Sequence, residues 1–245
     1  MANLLTRKLE AFAPLPEADK RLLDEVIRES QEVGPREDLI REGDAPSDVH
    51  LILEGFACRY KLLADGIKRQ IMAYLVPGDF CDLHVFILKE MDHSIATLSR
   101  CTVVKIPRAR VLELTEQPAI ARALWWAALV DEATLREWLV NIGARSAEQR
   151  IAHLLCELLS RLRVMGLADG GQYELPVTQQ ELGDTMGLTN VHVSRVLKRL
   201  RGDGLITLTS KNLVILDVER LEAFSGFTPN YLHLAPRTGV EEQSL

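Results

Sequence analysis

The sequence predicts an α+β chain: an N-terminal β-barrel or roll, one long helix, and a C-terminal winged helix-turn-helix. Three observations predict it. Between Val33 and Pro107 short apolar runs alternate with turn signals. From residue 117 to 142 the chain has no glycine and no proline after Pro118. Between Thr178 and Lys198 two helix-start signals flank a glycine turn.

The chain has 245 residues, 47% of them hydrophobic and 26% charged. This is an ordinary globular composition, long enough for one large or two ordinary domains. The net charge of -6 means that any contact with nucleic acid must come from a local basic patch. No apolar run approaches the roughly 20 residues of a membrane span. Residues 1–10 lack the apolar core of a signal peptide, so the expected location is the cytoplasm, with no membrane partner. Cys58, Cys81, Cys101 and Cys156 are scattered, without a C-x-x-C pair. They read as free thiols rather than a disulfide framework or a metal knot.

Residues 4–31 read as helical. Leu4, Leu5 and Leu9 open an amphipathic piece, Pro14 and Pro16 break it, and Leu22, Leu23, Val26 and Ile27 recur at helical spacing. The β region follows. Its turns are Gly34-Pro35, Gly43-Asp44, Glu54-Gly55, Asp65-Gly66 and Pro77-Gly78-Asp79, with short strands between them. Asp65-Gly66 suits a hairpin because both residues tolerate positive φ.

The long helix carries two apolar stripes. One runs Ala121, Leu124, Ala128, Leu135, Trp138 and Ile142, interrupted by Asp131; the other holds Trp125, Trp126, Leu129 and Leu139. A surface helix needs only one. The second implies a partner helix, as in a homodimer seam, or a helix sandwiched within one monomer. Gly143 permits a bend, and Ser146-Ala-Glu-Gln149 matches a capping box opening a helix to about Val164. Residues 143–146 are therefore a candidate hinge.

Thr178-Gln-Gln-Glu181 is a second capping box. Leu182 and Met186 face inward, Gly187 ends the helix, and Thr189 caps the next one. Val193, Val196, Leu197 and Leu200 bury the inner face of that second helix. This is the spacing of a helix-turn-helix, whose second helix enters the major groove of double-stranded DNA. The residues expected at DNA are Thr178, Gln179, Gln180, Thr189, Asn190, Val191, His192, Ser194, Arg195, Lys198 and Arg199. Arg pairs bidentately with guanine, Asn with adenine, and Val meets a thymine methyl. Leu205–Thr209 and Leu213–Leu216 form a hairpin, the wing. Five basic residues and one acid lie between Asn190 and Asn212, where phosphate binding needs them. A short helix over Val218–Ala223 follows, and Tyr231-Leu-His-Leu234 carries no derivable role. No G-x-S-x-G, P-loop or H-E-x-x-H occurs, so no catalytic residue is assigned.

The sequence resembles the Crp/Fnr family of bacterial transcription regulators over about residues 10–220. One group of motifs is Ile40-Arg-Glu-Gly-Asp44, His50-Leu-Ile-Leu-Glu-Gly55 and Pro77-Gly-Asp-Phe80. The other is Arg150-Ile-Ala152, Leu188-Thr-Asn-Val-His-Val-Ser-Arg195 and Gly204-Leu-Ile206. The resemblance implies a β-roll of the double-stranded β-helix type that holds an effector, a dimerisation helix, and two recognition helices roughly 34 Å apart. RNA polymerase is a candidate protein partner. The implied division is 1–116 for the roll, 117–142 for the dimerisation helix, 146–219 for the DNA-binding domain and 220–245 for a C-terminal extension.

Departures from the family pattern bear on the effector, whose identity stays unknown. The implied pocket residues are Asp82, Leu83, His93, Ser94, Leu135 and Arg136. His93 stands where the cyclic-AMP branch has the phosphate-clamping Arg, and Leu135 and Arg136 stand where it has hydroxyl residues. Cyclic AMP is therefore disfavoured. No cysteine precedes Cys58, against an Fe–S cluster. His50, His84 and His93 are the candidates for a haem ligand, a reading ranked below a plain regulator. Along a strand Cys81 and His84 would point to opposite faces, so no metal site is assigned. The alternative remains an effector-independent regulator whose roll is a scaffold or protein-binding surface. Val191 occupies the position of the family's base-reading Glu, so the operator should differ there.

Overall fold

The structure, a computed structural model, describes residues 3–63, 66, 68–83 and 89–234. Two short helices open the chain, α1 (Leu4–Glu10) and α2 (Glu17–Val26). The expected helix to residue 31 stops earlier, because Ser30–Val33 is already the first strand, β1, held by β7 (Cys101–Pro107). Between them run β2 (Asp38–Ile40), β3 (Asp48–Glu54), β4 (Ala57–Leu62), β5 (Arg69–Leu75) and β6 (Ser94–Thr97).

They form two antiparallel sheets, ordered β1-β7-β3 and β2-β6-β4-β5. The facing sheets make the roll. β3 is buried on both faces from Val49 to Ile52, which is why it reads Val-His-Leu-Ile-Leu rather than alternating, whereas β1 and β2 are largely exposed. Gly55 at the β3–β4 turn has φ +82, and a Cβ there would lie 2.2 Å from the Arg100 carbonyl oxygen. Only glycine fits that corner. Gly66 has positive φ, whereas Asp65, the other half of the expected hairpin turn, lies outside the described residues.

After α3 (Arg108–Thr115), which the sequence reading left unassigned, comes the long helix α4 (Pro118–Ala144). Pro118 opens it at a position where a missing N–H costs nothing. The turn falls within the expected hinge 143–146: Gly143 still lies inside α4, and the chain turns at Arg145, which is extended. Asn141 and Arg150 fix this corner, Asn141 Nδ2 donating to the Arg150 carbonyl and Arg150 Nε to that of Arg145. The Ser146–Gln149 capping box then starts α5 (Ala147–Val164).

The expected inner stripe of α4 is also corrected. Leu124 and Trp138 are buried, but Leu135 is 55% exposed. The buried face is Ile120, Ala123, Ala127, Val130, Ala133 and Asn141. Large apolar residues also stand on the other face, where Trp125, Leu129, Leu135 and Leu139 are exposed.

The C-terminal part continues with β8 (Gln172–Glu174), α6 (Gln179–Met186), α7 (Asn190–Gly202), β9 (Ile206–Thr209), β10 (Asn212–Ile215) and α8 (Val218–Ser225). A 3-10 turn (Pro229–Leu232) closes the described chain. β8 adds a third strand to the expected hairpin, in the order β8-β10-β9. α5 is almost wholly buried and packs against α6, α7 and α8.

The segment after α8 is part of this core. Phe227 and Tyr231 pack on the ring of His153, and the Tyr231 hydroxyl donates to Glu157 Oε2 at 2.9 Å. Burial, and then the nearby Arg145, pull His153 down to about 4. Glu137, 3.2 Å from its Nε2, is already paired with Arg145 at 2.7 Å. The unfolded chain therefore takes up a proton below about pH 6.5 that the folded chain refuses. This group adds nothing above that pH and destabilises the fold as pH falls toward about 4. Its slope is at most about 1.4 kcal/mol per pH unit. Replacing His153 by Gln should flatten that part of the pH profile of urea denaturation; an unchanged profile would contradict the assignment.

Candidate nucleic-acid interface and roll cavity

Local chemistry fixes the helix-turn-helix. Thr178 Oγ1 accepts from Glu181 N at 3.2 Å, and Glu181 Oε2 accepts from Thr178 N at 2.7 Å. Gly187 takes the left-handed conformation, φ 66°, that ends α6. Gly183 allows the turn to fold back, since a Cβ there would come within 2.6 Å of the Leu188 carbonyl oxygen. Thr189 Oγ1 accepts from His192 N at 3.3 Å and starts α7. Arg150 Nη1 donates to the Met186 carbonyl at the end of α6, which gives the Arg150-Ile-Ala motif a structural role.

Val193, Val196, Leu197 and Leu200 are buried, as the pattern predicts. Asn190, Val191, His192, Ser194, Arg195, Lys198 and Arg199 are exposed on the outer side of α7. Thr178, Gln179, Gln180 and Thr189 lie exposed at the helix starts beside them. Besides the capping hydroxyls of Thr178 and Thr189, Arg199 and Gln180 have side-chain partners. Arg199 Nη1 meets Glu148 Oε1 at 2.9 Å, and Gln180 Nε2 donates to Asp184 Oδ1 at 2.8 Å. Ser210, with φ 57°, and exposed Lys211 form the wing tip between β9 and β10.

Sequence reasoning missed how this unit is held. The rear of α6 sits on β5 of the roll. Arg69 pairs with Asp184 at 2.9 Å, Gln70 Nε2 donates to the Thr185 carbonyl, and the Tyr74 hydroxyl meets Thr185 Oγ1 at 2.6 Å. Behind them lies a buried ionic network. Arg161 Nη2 donates to Asp79 Oδ2 at 2.5 Å and to the Tyr74 carbonyl, and its Nη1 to Glu157 Oε1 at 3.1 Å. Lys8 Nζ reaches Asp79 Oδ1 at 2.8 Å. Glu157 Oε2 accepts from Trp138 Nε1 and from Tyr231. Against the opposing effect of burial, Lys8 and Arg161 hold the Asp79 carboxyl well below the usual carboxylate range.

A cavity of about 380 Å³ opens between the roll and α4. Asp82, Leu83, His93 and Leu135 line it, as the family pattern implies. Ser94 and Arg136 do not. Ser94 Oγ accepts from Glu42 N at 2.9 Å, tying down the strand edge. Arg136 points along the helix surface to Glu132 at 2.8 Å, because one residue past Leu135 is a turn of about 100°.

The residues that dominate the cavity were not read from sequence. Arg59 on β4 donates through Nη2 to Asp131 Oδ2 of α4 at 2.8 Å and to the Phe80 carbonyl, and through Nε to the Cys81 carbonyl. It is thereby a strut from roll to helix. His93 Nδ1 pairs with Asp92 Oδ1 at 2.6 Å, and its Nε2 lies 3.5 Å from Asp82 Oδ1. Burial opposes protonation of His93, but Asp82 and Asp92 outweigh it and raise its pKa.

These residues do not fit a cyclic nucleotide. Its phosphodiester needs an uncommitted cation, and the lining arginines, Arg59 and Arg161, are spent on carboxylates and carbonyls. His50 is buried outside the cavity lining, and His84 lies outside the described residues. Cys81 is not in a strand, so the alternation argument about it does not apply. Burial raises the thiols of Cys58 and Cys156 to about 12, and that of Cys81 well above its usual value.

Comparison with known proteins agrees with this architecture. Residues 30–117 match the cyclic nucleotide-binding domain and residues 149–224 the Crp-like helix-turn-helix domain. The nitrogen fixation regulation protein FixK of Bradyrhizobium diazoefficiens is 30% identical over 207 residues, covering 81% of this chain and 85% of that protein. The transcriptional activator protein anr of Pseudomonas aeruginosa is 29% identical over 209 residues, 85% of each chain. The solved structure of FixK2 from Bradyrhizobium japonicum superposes with a TM-score of 0.70 at 25% identity, over 80% of this chain and 96% of that one. With its roll, long helix and winged helix-turn-helix in the same order, the chain belongs to the Crp/Fnr family of DNA-binding transcription regulators.

Proposed function

We propose that the protein acts as a homodimer on a two-fold symmetric operator, with one α7 in each of two successive major grooves. The observation that carries this is the unburied seam of α4. Ala121, Trp125, Ala128, Glu132, Leu135, Leu139 and Ile142 recur at alternating steps of four and three. Trp125 and Leu139 are 71% and 74% exposed in the single chain. A 3.5-residue repeat of this kind is satisfied by a second helix. The working parts are the roll (1–116), the long helix (117–142), the DNA-binding domain (146–219) and the extension (220–245). RNA polymerase is the protein such a regulator would engage, in the cytoplasm where the chromosome lies.

Arg195 is the guanine reader in this proposal, Asn190 an adenine reader, and Val191 a contact to a thymine methyl. Thr178, Gln179, Gln180, Thr189, His192, Ser194 and Lys198 hold phosphates and register around them. Arg199 contributes less, because Glu148 competes for it. Selection of bound sites from random duplex DNA tests the reading. The expected product is a palindrome whose half-site differs where relatives use the Glu that Val191 replaces. Arg195→Ala should cost about 1–3 kcal/mol and relax one base position. If it weakened operator and random DNA equally, Arg195 would be a phosphate contact instead.

The roll cavity is the proposed effector site. An effector bridging roll and α4 would bias the spacing of the recognition helices by population shift. The movement would be absorbed at the Arg145 corner. A second reading, effector-independent regulation, is favoured by the Arg59–Asp131 strut, which already joins roll to helix. Titration with cyclic AMP and cyclic GMP separates the two from the classical ligand; no binding is expected.

A further inference from the structure

Two residues that line the roll cavity carry buried polar atoms with no hydrogen-bond partner, Asp82 Oδ2 and His93 Nε2. Asp82 is only 6% exposed, so water outside the protein does not solvate it. Leaving such a carboxylate oxygen unpaired is costly, and native proteins seldom do so without a function. The polar lining around it is acidic. Among the described residues, Asp92, Asp131 and Glu132 join Asp82. The facing cations are Arg59, spent on Asp131 and two carbonyls; Arg161, spent on Asp79 and Glu157; and His93, shared between Asp92 and the Oδ1 of Asp82, which leaves Asp82 Oδ2 unserved. Apart from Tyr74 and Thr134 the rest of the wall is apolar, with Met72, Leu83, Met91 and Leu135 its largest aliphatic side chains.

An anion entering here would sit beside Asp82 without a free counter-charge. At 4 Å, two like charges repel by about 4 kcal/mol at the effective dielectric of a protein surface. A cation gains the same term and supplies the donor that Asp82 Oδ2 lacks. An organic cation uses the apolar wall as well as the carboxylate, which a bare metal ion would not.

We propose that the cavity takes a small organic cation, a primary ammonium on a compact apolar body. The ammonium seats on Asp82 Oδ2 and the body rests against Met72, Leu83, Met91 and Leu135. This rests on the reading of the cavity as the effector site and reverses the charge of the ligand that the fold usually serves. His93 Nε2, 3.5 Å from the other oxygen of Asp82, is placed to keep that carboxylate turned toward the ligand.

Calorimetric titration of the full chain without DNA tests it, with benzylammonium, benzyl alcohol and benzoate as probes of matched shape. Benzylammonium should bind once per chain with a Kd at or below about 1 mM, about tenfold tighter than benzyl alcohol. Benzoate and cyclic AMP should give no saturable heat. Asp82→Asn, which keeps the shape and removes the charge, should erase the preference for benzylammonium over benzyl alcohol. Equal or tighter binding of benzoate or cyclic AMP would overturn the proposal. So would an unchanged preference in D82N, or no saturable heat from benzylammonium, which would leave Asp82 to a buried water. Because no DNA is present, failure here is distinguishable from failure of the operator reading, which site selection reports.

Discussion

Leu139→Glu is expected to split the protein into single chains and to weaken operator binding by about 10²–10⁴-fold. The seam of α4 is apolar where a monomer would be polar. Trp125, Leu129, Leu135 and Leu139 are all more than half exposed on one helix. A patch of that size on a lone chain marks an association surface. In a two-fold seam Leu139 would meet its own copy or a near neighbour, so one substitution places two carboxylates in contact. Each would be buried without a partner, a cost of several kcal/mol. With the chains apart, the second half-site is no longer bound as an intramolecular event, hence the loss in affinity. Sedimentation should show the mass fall to that of the 27.5 kDa chain. Leu62→Glu, on the exposed end of β4, is the control and should leave the dimer intact. If L139E sediments as a dimer and still saturates the operator, the seam lies elsewhere.

The recognition unit was legible because its signals are local. Each cap, the left-handed Gly187 and the inward Val193–Leu200 pattern involve residues within one or two turns of each other, and the structure realises all of them. What joins the parts was not legible. Arg59 and Asp131 stand 72 residues apart, and Arg161 and Asp79 82 apart. No periodicity announces such a pair, since a charged residue on a strand or helix reads first as a solvated one. The inner face of α4 was misread for a related reason. Hydrophobic periodicity weights large side chains, whereas the buried face here includes Ala123, Ala127 and Ala133 beside Ile120, Leu124, Val130 and Trp138. The corner at Arg145 falls inside the expected stretch 143–146; Gly143 permits a bend without requiring one, and the Asn141–Arg150 clamp decides where in that stretch it falls.

Arg161→Met is expected to destabilise the fold by about 3–5 kcal/mol, the cost of removing one partner from a buried ion pair. Arg161 is 9% exposed and supplies donors to Asp79, Glu157 and the Tyr74 carbonyl at once. Methionine keeps much of the volume and none of the donors. Lys8 and Val76 N would still serve Asp79, and Trp138 and Tyr231 would still serve Glu157, so the carboxylates lose charge compensation more than hydrogen bonds. Glu157, which burial already raises, would then protonate more readily. The depressed pKa of Asp79 fixes the sign with pH. Its contribution is present above the ordinary carboxylate range and is lost as pH falls below it, so the difference between parent and R161M should narrow in acid.

The network also spans the two halves of the molecule, Asp79 belonging to the roll and Arg161 and Glu157 to α5. Urea denaturation of the parent should therefore be closer to a single transition, and that of R161M should separate into two. Triple replacement with Asp79→Asn, Glu157→Gln and Arg161→Met should recover part of the lost stability, because no charge is then left unpaired. If R161M shifted the midpoint by less than the equivalent of about 0.5 kcal/mol, the range of an ordinary surface change, the network would not be what couples the DNA-reading half to the roll. Signal transmission would then have to run through the Arg69–Asp184 and Tyr74–Thr185 contacts on α6.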